Sequence, residues 1–498
     1  MTWTLLDIVE ALGTVVYGPV GDDAQLAATE VAHVTIDTRL VQPGSVFVAL
    51  LGSRTHGIEH AQEAFRRGAV AVLAGTDLEI EDAQWDELLA AAAEHGPVLV
   101  ASDCDGATAL GRLARAWRRR SPWRVVGITG SSGKTSTKDI LRALLERSGV
   151  RVVASHANWN NEIGVPLTLL SAGPDVDVVI CEMGMRGAGQ IAWLCDIADP
   201  DIGIVTTAGT AHLELLGSRD AIVAAKAELL AHTWSGGVGI FPGNQDELVE
   251  AAARVPDRLL PFGAGEDEAE DSAVLVTSVG RTETGIAGTI DLMGEERPFS
   301  LPVHGLHHAR NLAAAAAAVV SLTGSASLLA EDALQIGSSD GSTVFTSGRG
   351  DRHALAGGGT VIDDAYNANP ESVTAALDEL AASPTTARRV AVLGRMAELG
   401  STSKRLHTSV GAYAAAREQV DTLVVIGDNS DADALADGWK RTRGTKAHRY
   451  QSVDAALTAV DEWSAPNDVV LVKASNSSGL GLFAMALAHH HGLRGADA

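Results

Sequence analysis

The stretch 125–139, VVGITGSSGKTSTKD, carries the clearest chemistry in the chain. An apolar run (Val125, Val126, Ile128) ends in a glycine turn, and Lys134-Thr135 then open a helical pattern, DILRALLERSG. Glycine lets backbone amides come close to a phosphate, and a helix N-terminus faces the anion with unpaired N–H groups. Five residues separate Gly127 from Gly133, so Gly130-x-x-Gly133-Lys134-Thr135 describes the turn better than the commoner GxxxxGK[ST]. Thr129, Gly130, Ser131, Ser132 and Gly133 form the cradle in this reading. Lys134 reaches the terminal phosphates, and the Thr135 hydroxyl holds Mg²⁺. An ATP site is the expectation.

Further clusters follow. In NWNNEIGVP (158–166), Asn160 and Asn161 are either turn formers or groups that orient phosphate or substrate. Glu182 ends the apolar run VVICE, at the strand edge where ligands of open α/β sheets bind; a carboxylate there either holds Mg²⁺ or is an exposed strand end. His212 follows IVTTAGTA at a similar edge. Lys226 lies in AIVAAKAELL among small apolar residues, where it either snorkels to water or is buried with a lowered pKa and open to modification. Further on, HGLHHARNLAAA puts Asn311 at a helix start, SGRGD offers Arg349, and VIDDAYNANP offers Asp363, Asp364, Tyr366, Asn367 and Asn369. Polar and aromatic residues before a proline at a strand end describe a binding loop.

The elements that must position these groups imply an α/β protein of about three domains, since 498 residues exceed one core. Residues 1–103 read as a small N-terminal α/β substrate domain without a phosphate loop. Residues 104–337 alternate strand and helix as a doubly wound, P-loop ATPase domain, with antiparallel strands expected over 274–303. Residues 338–498 form a second, Rossmann-like layer without GxGxxG. Arg118–Arg120 are expected as a solvated helix end, and the histidines at 489–491 as surface. LAAAAAAVVSL (312–322) reads as a helix packed closely on a sheet.

A formal net charge of −25 argues against nucleic acid as a partner. The three cysteines have neither metal nor redox spacing, and each reads as a core residue. The N-terminus lacks the basic start of a signal peptide and no apolar run is long enough to span a membrane, so a cytoplasmic monomer is expected.

Taken in order, TGSSGKTSTK, NWNNEIGVPLTLL, EMGM, AHLELLGS, AKAEL, HHARN, YNANP and VLGRMAELG resemble the Mur ligase family. YNANP with VLGRMAELG points to the family's dipeptide-adding branch, and the N-terminal IDTR and PGSVFVALLG resemble its uridine-nucleotide domain. The resemblance implies ATP-dependent amide ligation through an acyl phosphate, with a UDP-muramoyl peptide and a dipeptide as substrates. It implies two Mg²⁺, one on Thr135 and Glu182, the other on His212 and a carbamate carried by Lys226. It also puts Asn311 at adenine, Arg349 and Asp364 at the γ-phosphate and ribose, and Thr38 and Arg39 at the uridine nucleotide. Tyr366, Asn367, Asn369 and Lys473 fall on the acceptor side. Two departures stand out. The family's Asp-Gly after the N-terminal strand is His56-Gly57, and its closing KGSR or KASR is Lys473-Ala474-Ser475-Asn476, without the arginine.

Overall fold

The computed structural model describes the whole chain except residues 1–2, 18–22, 53–54, 78–81, 102, 158, 211–212, 234, 255, 266–267, 269–271, 325–328, 330, 338–344 and 495–498. Three sheets organise it, besides a two-stranded ribbon that pairs Trp3–Thr4 with Glu30–Val31. The first sheet contains β1 (Thr14–Tyr17), β2 (His33–Thr35), β3 (Ser45–Val48), β4 (Ala69–Ala74) and β5 (Val98–Ala101), in the order β1-β5-β4-β3-β2. Only β1 runs antiparallel to its neighbour.

The middle sheet has nine strands: β6 (Arg124–Thr129), β7 (Val152–Ala154), β8 (Val178–Glu182), β9 (Ile202–Val205), β10 (Val238–Pro242), β11 (Arg258–Ala264), β12 (Val274–Arg281), β13 (Ile286–Leu292) and β14 (Glu296–Leu301). Their order is β14-β13-β12-β11-β10-β9-β6-β8-β7. Pairing is parallel from β7 to β12 and antiparallel from β12 to β14, so the segment expected to alternate does form hairpins. Side chains alternate between two cores. Val126, Ile128, Ile180 and Ile204 belong to one, and Val125, Val179 and Cys181 to the other. This period of two, covered on both faces, is what a doubly wound sheet requires.

The third sheet holds β15 (Asp351–Ala354), β16 (Thr360–Asp363), β17 (Arg389–Leu393), β18 (Thr422–Ile426), β19 (His448–Tyr450) and β20 (Val469–Lys473), ordered β15-β16-β20-β17-β18-β19. All pairs but the first are parallel.

Five helices matter for the site: α1 (Gly106–Arg120), α2 (Lys134–Arg147), α3 (Arg219–His232), α4 (His308–Thr323) and α5 (Pro370–Ala382). Ala313–Ala318 on α4 are fully buried, and α4 packs on α2 and across the middle sheet. Small side chains permit that close approach on every side of the helix.

Two surface readings are corrected. Arg118 is not solvated: its guanidinium donates to the carbonyls of Trp123, Ala198 and Asp199 and pairs with Asp201 at 3.0 Å. Arg120 pairs with Asp7 and lies over the Trp3 ring, 5.8 Å from its centroid, tying α1 to the N-terminal segment. The helix end is thus a cross-link, because backbone carbonyls and carboxylates surround it where water was expected. His491 is likewise buried, 2.9 Å from the Ser464 hydroxyl, whereas His489 and His490 are exposed.

The N-terminal departure has a local explanation. His56 Nδ1 accepts from the Ile58 amide at 3.2 Å, while Nε2 lies 2.9 Å from the Asp77 carbonyl. An imidazole with its proton on Nε2 therefore caps the short 3₁₀ turn Gly57–His60 as a carboxylate oxygen would. Gly57 is held to glycine by space, since a Cβ would stand 2.6 Å from the Leu50 amide nitrogen.

Overpacking α4 should be costly. Ala316→Leu is expected to destabilise the middle domain by about 1–3 kcal/mol, read as an earlier urea transition of that unit.

Candidate active site

The phosphate loop joins β6 to α2 at the carboxyl edge of the middle sheet. Gly130 has φ 152° and Gly133 has φ 80°, the latter in the left-handed region at the N-cap of α2. Space also dictates these glycines. A Cβ on Gly130 would stand 1.9 Å from Thr206 Oγ1, and one on Gly133 would stand 2.5 Å from Asn311 Oδ1. Thr206, just past β9, donates to the carbonyls of Thr129 (3.2 Å) and Ser132 (2.5 Å). The Ser131 amide donates to the Thr207 carbonyl at 2.8 Å, and the Gly209 amide to Ser131 Oγ at 2.9 Å. The loop is thus braced before any ligand arrives.

Register delivers the next group. Glu182 pairs with Ile128 across β8 and β6, so its carboxylate emerges beside the start of α2. Thr135 Oγ1 donates to Glu182 Oε2 at 2.7 Å, and Asn160 Nδ2 donates to Oε1 at 2.9 Å. Ser155 Oγ accepts from the Glu182 amide. Of the paired asparagines, Asn160 therefore orients the carboxylate. Asn161 is a turn former whose Oδ1 caps Gly164 at 2.9 Å.

Lys134 Nζ donates to the Gly130 carbonyl at 2.7 Å. Burial pushes its pKa down, against an opposing pull from Glu182. Lys226, on α3, is fully buried beneath the loop, 3.4 Å from Thr129 Oγ1. Burial drives its pKa well below 10.5, and the nearby Lys134 charge adds to the effect. Burial rather than snorkelling is the outcome, and it favours a neutral amine.

A cavity of about 740 Å³ opens over the loop, a size usual for a bound small molecule. Ser131, Ser132, Gly133, Lys134, Thr135, Asn160, Glu182 and Asn311 contribute from the middle domain. Arg349, Asp364, Tyr366, Asn367, Asn369 and Lys473 contribute from the third sheet's side. Arg349 lies over the Tyr366 ring, 4.3 Å from its centroid, and its Nε has no hydrogen-bond partner among the described residues. Lys473 is held by Asp364 at 2.7 Å and by the Asn367 carbonyl at 3.0 Å. Asn369 is chiefly a helix cap: its Oδ1 accepts from Ser372, and its Nδ2 reaches the Ser131 carbonyl at 3.4 Å.

Thr129, Gly130 and Lys226 lie behind the cavity wall. Thr38 and Arg39 lie on the first domain, away from it, with Arg39 paired to Asp37 at 2.6 Å and largely exposed. His212 falls outside the described residues.

Several contributors went unread in the sequence. The N-terminal end of α5 touches the middle domain through Glu371, which accepts from the Thr210 hydroxyl at 2.8 Å. Eight residues on, Glu379 takes Arg281 of β12 at 3.0 Å and Arg352 at 3.1 Å. The i, i+4, i+8 spacing of Glu371, Ala375 and Glu379, all on the cavity wall, was the available signal. His307 and His308 stack at 4.2 Å beside Asn311, and burial holds both below the ordinary histidine pKa.

A braced phosphate loop facing a second parallel sheet across one cavity defines a two-lobed, nucleotide-using enzyme. The chain belongs to the Mur ligase family: residues 30–118 match the Mur ligase family catalytic domain, 128–319 the Mur ligase middle domain, and 348–476 the Mur ligase glutamate ligase domain. It is 37% identical over 453 residues to the UDP-N-acetylmuramoyl-tripeptide–D-alanyl-D-alanine ligase of Synechocystis sp., covering 90% of each chain. Among solved structures it is similar to MurF from Acinetobacter baumannii, with a TM-score of 0.81 at 26% identity over 98% of this chain and 99% of that one. It is also similar to the MurF ligase of Thermotoga maritima in complex with ADP, with a TM-score of 0.74 at 26% identity over 92% and 98% of the two chains. Among the described residues, no helix is long and apolar enough to cross a membrane.

Lys226 gives a signed pH prediction. Between its lowered native pKa and the unfolded value near 10.5, the unfolded state binds more protons, so stability rises with pH. In CO₂-free buffer Lys226→Met should flatten the rise between the wild-type melting temperatures at pH 7 and pH 9.5.

Proposed function

We propose that this chain is an ATP-dependent peptide ligase that joins D-alanyl-D-alanine to UDP-N-acetylmuramoyl-tripeptide, a step that builds peptidoglycan. The observation that carries the reading is the shared cavity, with Lys134, Thr135 and Glu182 on one wall and Arg349, Tyr366 and Asp364 on the other. The tripeptide carboxylate attacks the γ-phosphorus of ATP, forming an acyl phosphate and releasing ADP. The dipeptide amine then attacks the acyl carbon, phosphate leaves with the bonding electrons, and the amine gives up a proton. Loop amides, Lys134 and Arg349 offset charge on the phosphoryl oxygens. Closure of α5 onto the middle domain keeps water from the acyl phosphate.

The donor set suits Mg²⁺. Thr135 Oγ1 and a Glu182 oxygen stand together at the helix N-terminus, and this ion takes few protein oxygens beside phosphate and water. Among the described residues no cluster of three His, Cys, Asp or Glu side chains could replace the phosphate's share. When bound, the ion neutralises the β- and γ-phosphate oxygens. A second ion, on His212 and a carbamate of Lys226, is part of the proposal. A neutral, buried amine can add CO₂ and lose one proton, turning a cation into an oxygen donor. Thr38 and Arg39 serve the uridine nucleotide, and Asn311 the adenine. The cavity is lined by one chain, so a monomer suffices, and an ATP consumer with three unpaired cysteines fits the cytoplasm. One observation favours a second reading, a family member with another amine or acid: Asn476 replaces the expected arginine and is exposed.

Phosphate release with Mg-ATP, the UDP-muramoyl tripeptide and a panel of D- and L-dipeptides tests the proposal. Turnover with D-alanyl-D-alanine is expected, and turnover only with another pair selects the second reading. Lys134→Ala should abolish release. Lys226→Ala should lose most of it and recover part in added short carboxylates; a variant as active as wild type would remove the carbamate.

A further inference from the structure

We propose that Arg395 binds the C-terminal carboxylate of the incoming dipeptide and so sets the enzyme's preference for an acceptor with a free acid. This rests on the ligase reading above. A dipeptide whose amine must reach the acyl carbon carries a carboxylate about 7 Å further along, at ~3.3–3.6 Å per residue. A desolvated carboxylate needs a cation or several N–H donors, and a guanidinium supplies both.

The carboxyl edge of the third sheet limits the choice. Lys473, on the cavity wall, is 3% exposed and committed to Asp364. Arg349 lies over Tyr366 on the nucleotide side. Arg395 is different. It follows β17, whose last residue, Leu393, pairs with Lys473. The ladder continues past the strand ends: the Gly394 amide donates to the Lys473 carbonyl at 3.1 Å, and the Ser475 amide to the Arg395 carbonyl at 3.0 Å. Two residues beyond Leu393 is about 7 Å at strand rise, one dipeptide length from the cavity wall. The same loop turns back toward the nucleotide, because Glu398 acts electrostatically on Lys134.

The Arg395 side chain is preorganised and only partly used. Its Nε donates to Asp431 Oδ2 at 3.1 Å, and Asp431 Oδ1 is itself held by the Ser403 hydroxyl at 2.8 Å. Asp431 is nearly buried, whereas the Arg395 side chain is 53% exposed. Among the described residues its two terminal nitrogens make no hydrogen bond, which leaves the outer end of the fork to a ligand. Asn476 adjoins Ser475 on the partner segment, so this cation stands where that asparagine offers none.

The test compares D-alanyl-D-alanine with its C-terminal amide, using wild type, Arg395→Ala and Arg395→Lys. For wild type, the amide should show a KM about 10–100 times that of the acid. Arg395→Ala should raise the KM for the acid by a similar factor and leave the amide's nearly unchanged, with the KM values of ATP and the UDP-tripeptide unmoved. Arg395→Lys should fall between. A wild type that handles acid and amide alike overturns the inference, as does a variant that loses both acceptors equally, since that would be a structural defect. Wild-type failure with D-alanyl-D-alanine is a separate outcome: it sinks the ligase reading and this inference with it.

Discussion

The site depends on the register of three parallel strands. β6 carries the phosphate loop, β8 sets Glu182 opposite Ile128, and β9 sets Val205 opposite Thr129. With these pairings fixed, Glu182 meets Thr135, and Thr206 closes over the glycine turn. A slip of one residue in either neighbour would turn its side chains to the other face and remove the carboxylate or the brace. The double-sided core makes such a slip costly, because it would exchange the residues of two apolar clusters. Packing that has no part in the chemistry thereby holds the chemistry in place.

The second constraint is division of labour between lobes. The middle domain supplies the anion cradle and the carboxylate, while the third sheet supplies Arg349, Tyr366 and the Lys473–Asp364 pair. Helix α5 connects them, with a carboxylate near each end of its cavity-facing side and small residues between. Glu371 grips Thr210 in the loop that braces the phosphate turn, so the position of the third lobe is felt at the phosphate site. Glu379 works by a different balance. It sits between two arginines from different lobes, and the low exposure of its side chain protects the pairs from screening.

Much of this was legible in the chain because it is local. The strand–glycine–lysine string, the Ala-rich helix and the alternation of strand with helix report backbone geometry and period, which neighbours in sequence determine. Lys226 was half legible: apolar flanks left snorkelling and burial open, and only three-dimensional packing chose burial. Arg118 was misread because the carbonyls it meets, at Ala198 and Asp199, lie some eighty residues away. The same is true of Glu371 and Arg281, whose partners belong to another lobe. His56 reads as a loss only when residue type is compared; once Nδ1 is seen accepting from Ile58, the cap is intact.

The buttress at Gly133 has a consequence for synthesis on the ribosome. Asn311 stands against the phosphate turn, and α4, which carries it, covers one whole face of the middle sheet. Nearly two hundred residues therefore leave the tunnel between β6 and the helix that shields it. At ~5–20 residues per second the nascent strands wait roughly 10–40 s with an apolar face uncovered. Vectorial folding of this lobe is thus postponed until a late helix arrives, and in that interval chaperone capture and chain–chain aggregation compete with it.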